Sequence, residues 1–98
     1  SSVNASFMER LLWECESTGI PLVNYSSTAT GIRKISEGTM MITEIILEPH
    51  ILVLNGTDFN RILKAIEHAQ KNSVTCNSVK TKINIQPQVI FKMLEEIV

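Results

Sequence analysis

The sequence predicts an α+β domain. Two stretches, 5–18 and 58–71, space their apolar residues as one face of a helix, while 22–30, 39–48 and 80–86 alternate with the period of a strand. Strands and helices intermix without a regular β-α-β-α order, which favours α+β over α/β. The expected architecture is an antiparallel sheet packed against a central helix and a second helix. The 98 residues are expected to form one domain, 1–98, and a chain of this size buries roughly 60% of its unfolded surface or a little more.

The first helix, 5–18, places Met8, Leu11, Leu12 and Cys15 at i, i+3, i+4 and i+7, with Glu9, Arg10, Glu14 and Glu16 on the remaining surface. Gly19 and Pro21 stop it. In 22–30, Val23, Tyr25, Ser27 and Ala29 share one face. Ser36-Glu37-Gly38 reads as a turn, so 22–30 and 39–48 pair as an antiparallel hairpin. Met40, Ile42 and Ile46 are expected on one face of the second strand, and Met41, Ile45 and Leu47 on the other. Apolar groups on both faces mark a central strand. Pro49 cannot donate to a ladder and predicts a bulge or break before Ile51 to Leu54 resume. Asn55-Gly56 turns the chain and Thr57-Asp58 caps the helix 58–71, whose stripe is Phe59, Ile62, Leu63, Ile66 and Ala69. Residues 72–78 read as a polar link, and 80–86 as a strand with Ile83 and Ile85 inward. Val89, Ile90, Met93, Leu94 and Ile97 predict a C-terminal helix.

Composition excludes several functions. Nine basic against ten acidic residues give a net charge of −1, without the basic footprint that nucleic acid requires. The longest apolar runs, such as Ile51 to Leu54, are far short of the roughly 20 residues of a membrane span, so neither nucleic acid nor membrane is expected as a partner. No signal-peptide pattern opens the chain. The first residue is Ser1 rather than Met, so the chain is read as processed, trimmed or cut from something longer. Two cysteines are too few for a disulfide scaffold, and a reducing cytoplasm is the expected location. The Asn-x-Ser/Thr triplets at Asn4, Asn24 and Asn55 are read as chance matches.

No phosphate-binding glycine loop, Gly-x-Ser-x-Gly motif or paired-histidine metal motif occurs. A zinc site drawn from Cys15, Cys76, His50 and His68 would lack close cysteine spacing. No cofactor or metal is expected. Cys15, on the apolar helix face, reads as a small buried hydrophobe. Cys76 lies in the polar link past a helix C-terminus, where a thiol can be partly exposed but gains nothing from the helix dipole.

From Ala69 to Ile85 the segment Ala-Gln-Lys-Asn-Ser-Val-Thr-Cys-Asn-Ser-Val-Lys-Thr-Lys-Ile-Asn-Ile resembles the second-cysteine segment of the OsmC/Ohr family, typically Ala, a few residues, Cys-Pro-x-Ser-Asn-Ala and then an alternating strand. The first helix, from Asn4-Ala5-Ser6-Phe7 to Gly19-Ile20-Pro21-Leu22, resembles the family's central helix, and the resemblance spans roughly 4–86. It implies an OsmC-like fold in an intertwined homodimer. It also implies a thiol peroxidase cycle in which one cysteine attacks an organic hydroperoxide and the resulting sulfenic acid condenses with a second cysteine. Matched position by position, the family's first cysteine corresponds to Ser6 and the second to Ser73, its proline to Val74 and its serine to Cys76. The resemblance further implies N-terminal strands that carry an Arg and a Glu assisting the thiolate, and residues 1–98 are read as a partial OsmC-like domain without them.

Several readings stay open at this stage. One is an OsmC/Ohr-like stress-response protein, related to thiol-dependent hydroperoxide reductases, with the redox pair lost; any enzyme activity would then have to run through Cys76. Another is a non-catalytic dimeric module that binds a small apolar ligand or a protein partner. A third, an engineered double-serine variant of an active enzyme, is opposed by Val74 and by the native-looking Cys76.

Overall fold

A computed structural model describes residues 2–93. It contains helix α1 (Ser2–Thr18), strands β1 (Leu22–Ser36) and β2 (Thr39–Leu54), helices α2 (Phe59–Asn72) and α3 (Val74–Ser78), and strands β3 (Lys82–Ile85) and β4 (Gln88–Lys92). The α+β class holds, with both longer helices on one face of a four-stranded sheet.

Helix α1 starts three residues earlier than its apolar spacing indicates and ends in a Schellman closure. Gly19, at φ 73°, lets its own N–H reach the Glu16 carbonyl and the Ile20 N–H reach the Cys15 carbonyl, at 3.4 and 2.9 Å. Ile20 and Cys15 are both buried in the core, the apolar contact that accompanies this motif. Asp58 caps α2 by accepting from the Asn60 N–H at 2.9 Å.

The strands β1 and β2 form one long antiparallel hairpin, closed by Glu37-Gly38 with both φ positive, 51° and 78°. Pairing runs from Leu22 to Ser36, beyond the expected end at residue 30, because β2 offers a partner as far as the turn; a first register shift, between Leu22 and Asn24, leaves Val23 outside the ladder. An extra residue near Thr43 shifts the register between Ile32 and Arg33. Met40 and Ile42 therefore share the face of Ile45 and Leu47, and not that of Ile46 as simple alternation suggests. A Cβ on Gly31, opposite Ile45, would lie 3.8 Å from Ile42 Cγ2.

The remaining strands correct the expected topology. The sheet is mixed, since β3 and β4 both run parallel to β2 on the edge opposite β1. The crossover through α2 brings the chain back in the same direction as β2. The expected C-terminal helix is strand β4 over Gln88–Lys92; Leu94 and Ile97 lie outside the described residues. Val89 packs inward against the core, while Ile90 stands opposite Leu52 on the outer face. The free edge of β2 from His50 to Leu54 supplies the hydrogen bonds that decide between the two periods. Pro49 does not break β2. The constant offset of β3 and β4 against β2 puts Pro87 across from Pro49, so the interruption appears between β3 and β4, where neither proline has an N–H to offer.

Phe7 and Leu11 of α1, Leu47, Ile51 and Val53 of β2 and Ile62 of α2 are fully buried. Each such side chain contributes about 1.5–3 kcal/mol relative to exposure. The helices cover only the half of the hairpin nearest Leu22 and Leu54. The far half projects, and the molecule measures 56 × 23 × 20 Å with a radius of gyration of 15.3 Å, against about 13 Å for a compact domain of this length. Ile35, Met40 and Ile42 on that arm are 70%, 59% and 51% exposed.

Candidate functional site

The residues singled out in sequence, Ser6 and Ser73, meet. Their Oγ atoms are 2.8 Å apart. Ser6 lies one turn into α1, on the side that packs against the α2–α3 junction. Ser73 is that junction. Its N–H closes α2 on the Ala69 carbonyl at 3.0 Å, while its hydroxyl caps α3 by accepting from the Cys76 N–H at 3.3 Å. With φ −75° and ψ 117°, it is the single extended residue between two helices, and it is 2% exposed. Asn77 secures the corner by donating its Nδ2 hydrogens to the carbonyls of Lys71 and Ser73, at 2.6 and 2.9 Å.

The hydroxyl pair lies on the wall of an open groove of about 300 Å³. Glu9, Arg10 and Trp13 flank it from α1, with Asn72 and Val74 on the opposite bank. The Arg10 guanidinium lies 4.3 Å above the Trp13 ring. Its Nε donates to Glu14 Oε1 at 3.3 Å, and Glu14 Oε2 lies 3.9 Å from His68 Nδ1 on α2. Glu14, placed on the polar side of the helix by its sequence pattern, is 6% exposed and bridges the two helices. The Arg10–Glu14 pair was available in sequence as an i, i+4 ion pair. The reach to His68 was not, since it depends on how α1 and α2 are packed.

Neither cysteine joins this pair. Cys15 follows Ser6 by nine residues, about 13.5 Å along the helix axis, and is buried as expected. Burial, and secondarily the carboxylates of Glu14 and Glu16, push its thiol pKa up. Cys76 corrects the sequence expectation twice. The link that holds it is helical, over Val74–Ser78, and the residue is buried in the core at 7% exposure. Its backbone N–H, not its sulfur, is what engages the site. His50 is half-buried on β2 and His68 is exposed. Among the described residues no group of three or more His, Cys, Asp or Glu is placed to hold a metal ion, and no helix is long and apolar enough to cross a membrane.

No protein-family model and no curated protein matches the sequence. Solved structures match the fold. An OsmC-like protein from Mycoplasma pneumoniae superposes with a TM-score of 0.79 at 19% identity, over 92% of this chain and 67% of that one. An OsmC-like protein of unknown function from Vibrio cholerae gives 0.74 at 22% identity, over 86% and 56%. The organic hydroperoxide resistance protein OsmC from Legionella pneumophila gives 0.67 at 17% identity, over 91% and 63%. The structure therefore has the fold of the OsmC and Ohr organic hydroperoxide resistance proteins. The chain spans between about half and two thirds of the length of these relatives.

Proposed function

We propose that this chain is a non-redox relative of the OsmC and Ohr hydroperoxide reductases, a stress-response-type protein whose Ser6–Ser73 groove binds a small molecule with an apolar part. The observation that carries the reading is the 2.8 Å contact between Ser6 and Ser73, the two positions at which the family resemblance sets the reacting cysteines. A peroxidase cycle needs a thiolate to attack the O–O bond and release an alcohol, leaving a sulfenic acid that a second thiol converts to a disulfide with loss of water. A serine hydroxyl stays un-ionised at neutral pH and has no sulfenic state, so the pair keeps the geometry without the chemistry. Turnover through Cys76 is opposed by the burial of that residue.

The acting species in this proposal is a homodimer in the cytoplasm. The exposed apolar arm at Ile35, Met40 and Ile42 supports association, and the two buried free cysteines suit a reducing compartment. The test is to add an organic hydroperoxide and a dithiol donor to the reduced protein and follow peroxide consumption and thiol mass together. The expected result is no catalytic consumption. Catalytic turnover with a sulfenic acid at Cys76 would overturn the proposal.

A further inference from the structure

We infer that the Ser6–Ser73 groove takes an uncharged small molecule that presents an oxygen acceptor, of the ketone, ester or amide class, to the hydroxyl pair and lays its apolar remainder against Trp13 and Val74. This rests on the binding reading above and adds the chemistry of the head group.

Two serine hydroxyls own two hydrogens. One lies in the Ser6–Ser73 bond, and Ser73 Oγ spends acceptor capacity on the Cys76 N–H. Whichever oxygen donates, one hydroxyl hydrogen is left over, and both residues line the groove. The site therefore offers a donor to an incoming oxygen.

The positive charge of Arg10 is already met by Glu14 and by the Trp13 ring, so an incoming anion finds no uncommitted cation and faces the carboxylate of Glu9. An incoming cation meets Arg10 on the ring face it would need. A carboxylate would take the spare hydroxyl hydrogen but find no free cation for its charge, and an ammonium would reach Glu9 only with Arg10 lining the same groove; each keeps part of its desolvation cost, whereas a neutral carbonyl gains a hydrogen bond for the one it gives up. The tail has surface to cover, since Trp13 and Val74 are 53% and 78% exposed.

Trp13 is the only tryptophan in the chain and lines the groove, so its fluorescence reads occupancy directly. The full chain is titrated with 2-hexanone, hexanoate and hexylammonium at one pH and ionic strength. The expected result is that 2-hexanone binds about five-fold tighter than either charged analogue. The double variant Ser6→Ala/Ser73→Ala, its fold checked by circular dichroism, is expected to bind 2-hexanone about five-fold more weakly than the parent. Equal or tighter binding of a charged analogue overturns the head-group assignment and leaves the binding reading standing. A folded double variant that binds 2-hexanone like the parent does the same. No response to any of the three overturns both. If the double variant fails to fold, the charge series on the parent protein decides.

Discussion

Glu14 of α1 reaches His68 of α2 across the seam between the helices, Oε2 to Nδ1 at 3.9 Å, while its other oxygen accepts from Arg10. This buried carboxylate is the link between the helix pair and the groove, because Arg10 is both its partner and a groove residue. Glu14→Ala leaves Arg10 without its counter-charge and opens a void at the seam. Both partners keep substantial exposure to water, so the expected loss is about 1–2 kcal/mol, less than for a fully buried pair, read by urea denaturation. The Trp13 emission spectrum shifts with it as Arg10 is released. An unchanged spectrum would separate Arg10 placement from Glu14.

Ser73 serves as terminus for two helices at once. Ser73→Ala keeps the backbone closure of α2 and removes the hydroxyl cap of α3, so the expected cost is about 1 kcal/mol. Ser6→Ala, which removes no cap, is expected to cost less than half of that. Equal losses would show that the Ser6–Ser73 bond, and not the cap, dominates.

Much of this was legible in sequence, because it rests on local rules. The apolar stripes of 5–18 and 58–71, the Gly19 stop, the Glu37-Gly38 turn and the Asp58 cap each depend on neighbours within a few residues. The misses depend on tertiary partners. Val89, Ile90 and Met93 fit a helix or a strand equally well, and only the open edge of β2 selects the strand. The parallel direction of β3 and β4 follows from the crossover, which no local pattern encodes. Ser73 and Ser6 were found through family resemblance, as 67 positions separate them. The groove is not legible in sequence, since Trp13 carries no motif and Val74 enters only as the counterpart of the family's proline.

The projecting arm predicts association. The chain, 11.0 kDa by sequence, is expected to run at twice that mass by light scattering. Ile35→Asp with Ile42→Asp, on exposed positions of the arm, should return it to the mass of one chain without loss of helical circular dichroism. A single-chain mass for the parent protein at all concentrations would remove the dimer from the account.

Cys15 predicts a pH dependence. Its thiol is held above the ordinary cysteine value by burial and, secondarily, by the carboxylates of Glu14 and Glu16. As pH rises through the unfolded-state pKa, the unfolded chain loses that proton while the folded chain keeps it. The unfolded state then binds fewer protons, so folding stability falls. The loss begins near pH 9 and continues up to the raised folded value. Cys15→Ala is expected to flatten this limb of the stability–pH curve, measured by urea denaturation between pH 7 and 10. An equally steep limb in the variant would assign it to other groups.

The central claim, that Ser6 and Ser73 hold the geometry of a redox pair without its chemistry, is tested most directly by restoring sulfur. The Ser6→Cys/Ser73→Cys double variant is reduced, treated with one equivalent of organic hydroperoxide and digested for mass spectrometry. Oγ atoms 2.8 Å apart place the two introduced sulfurs within easy reach of a bond of about 2.05 Å. The account predicts a disulfide between the two introduced thiols, with Cys15 and Cys76 still reduced. Introduced thiols that stay free, or a bridge from either of them to Cys15 or Cys76, would contradict it.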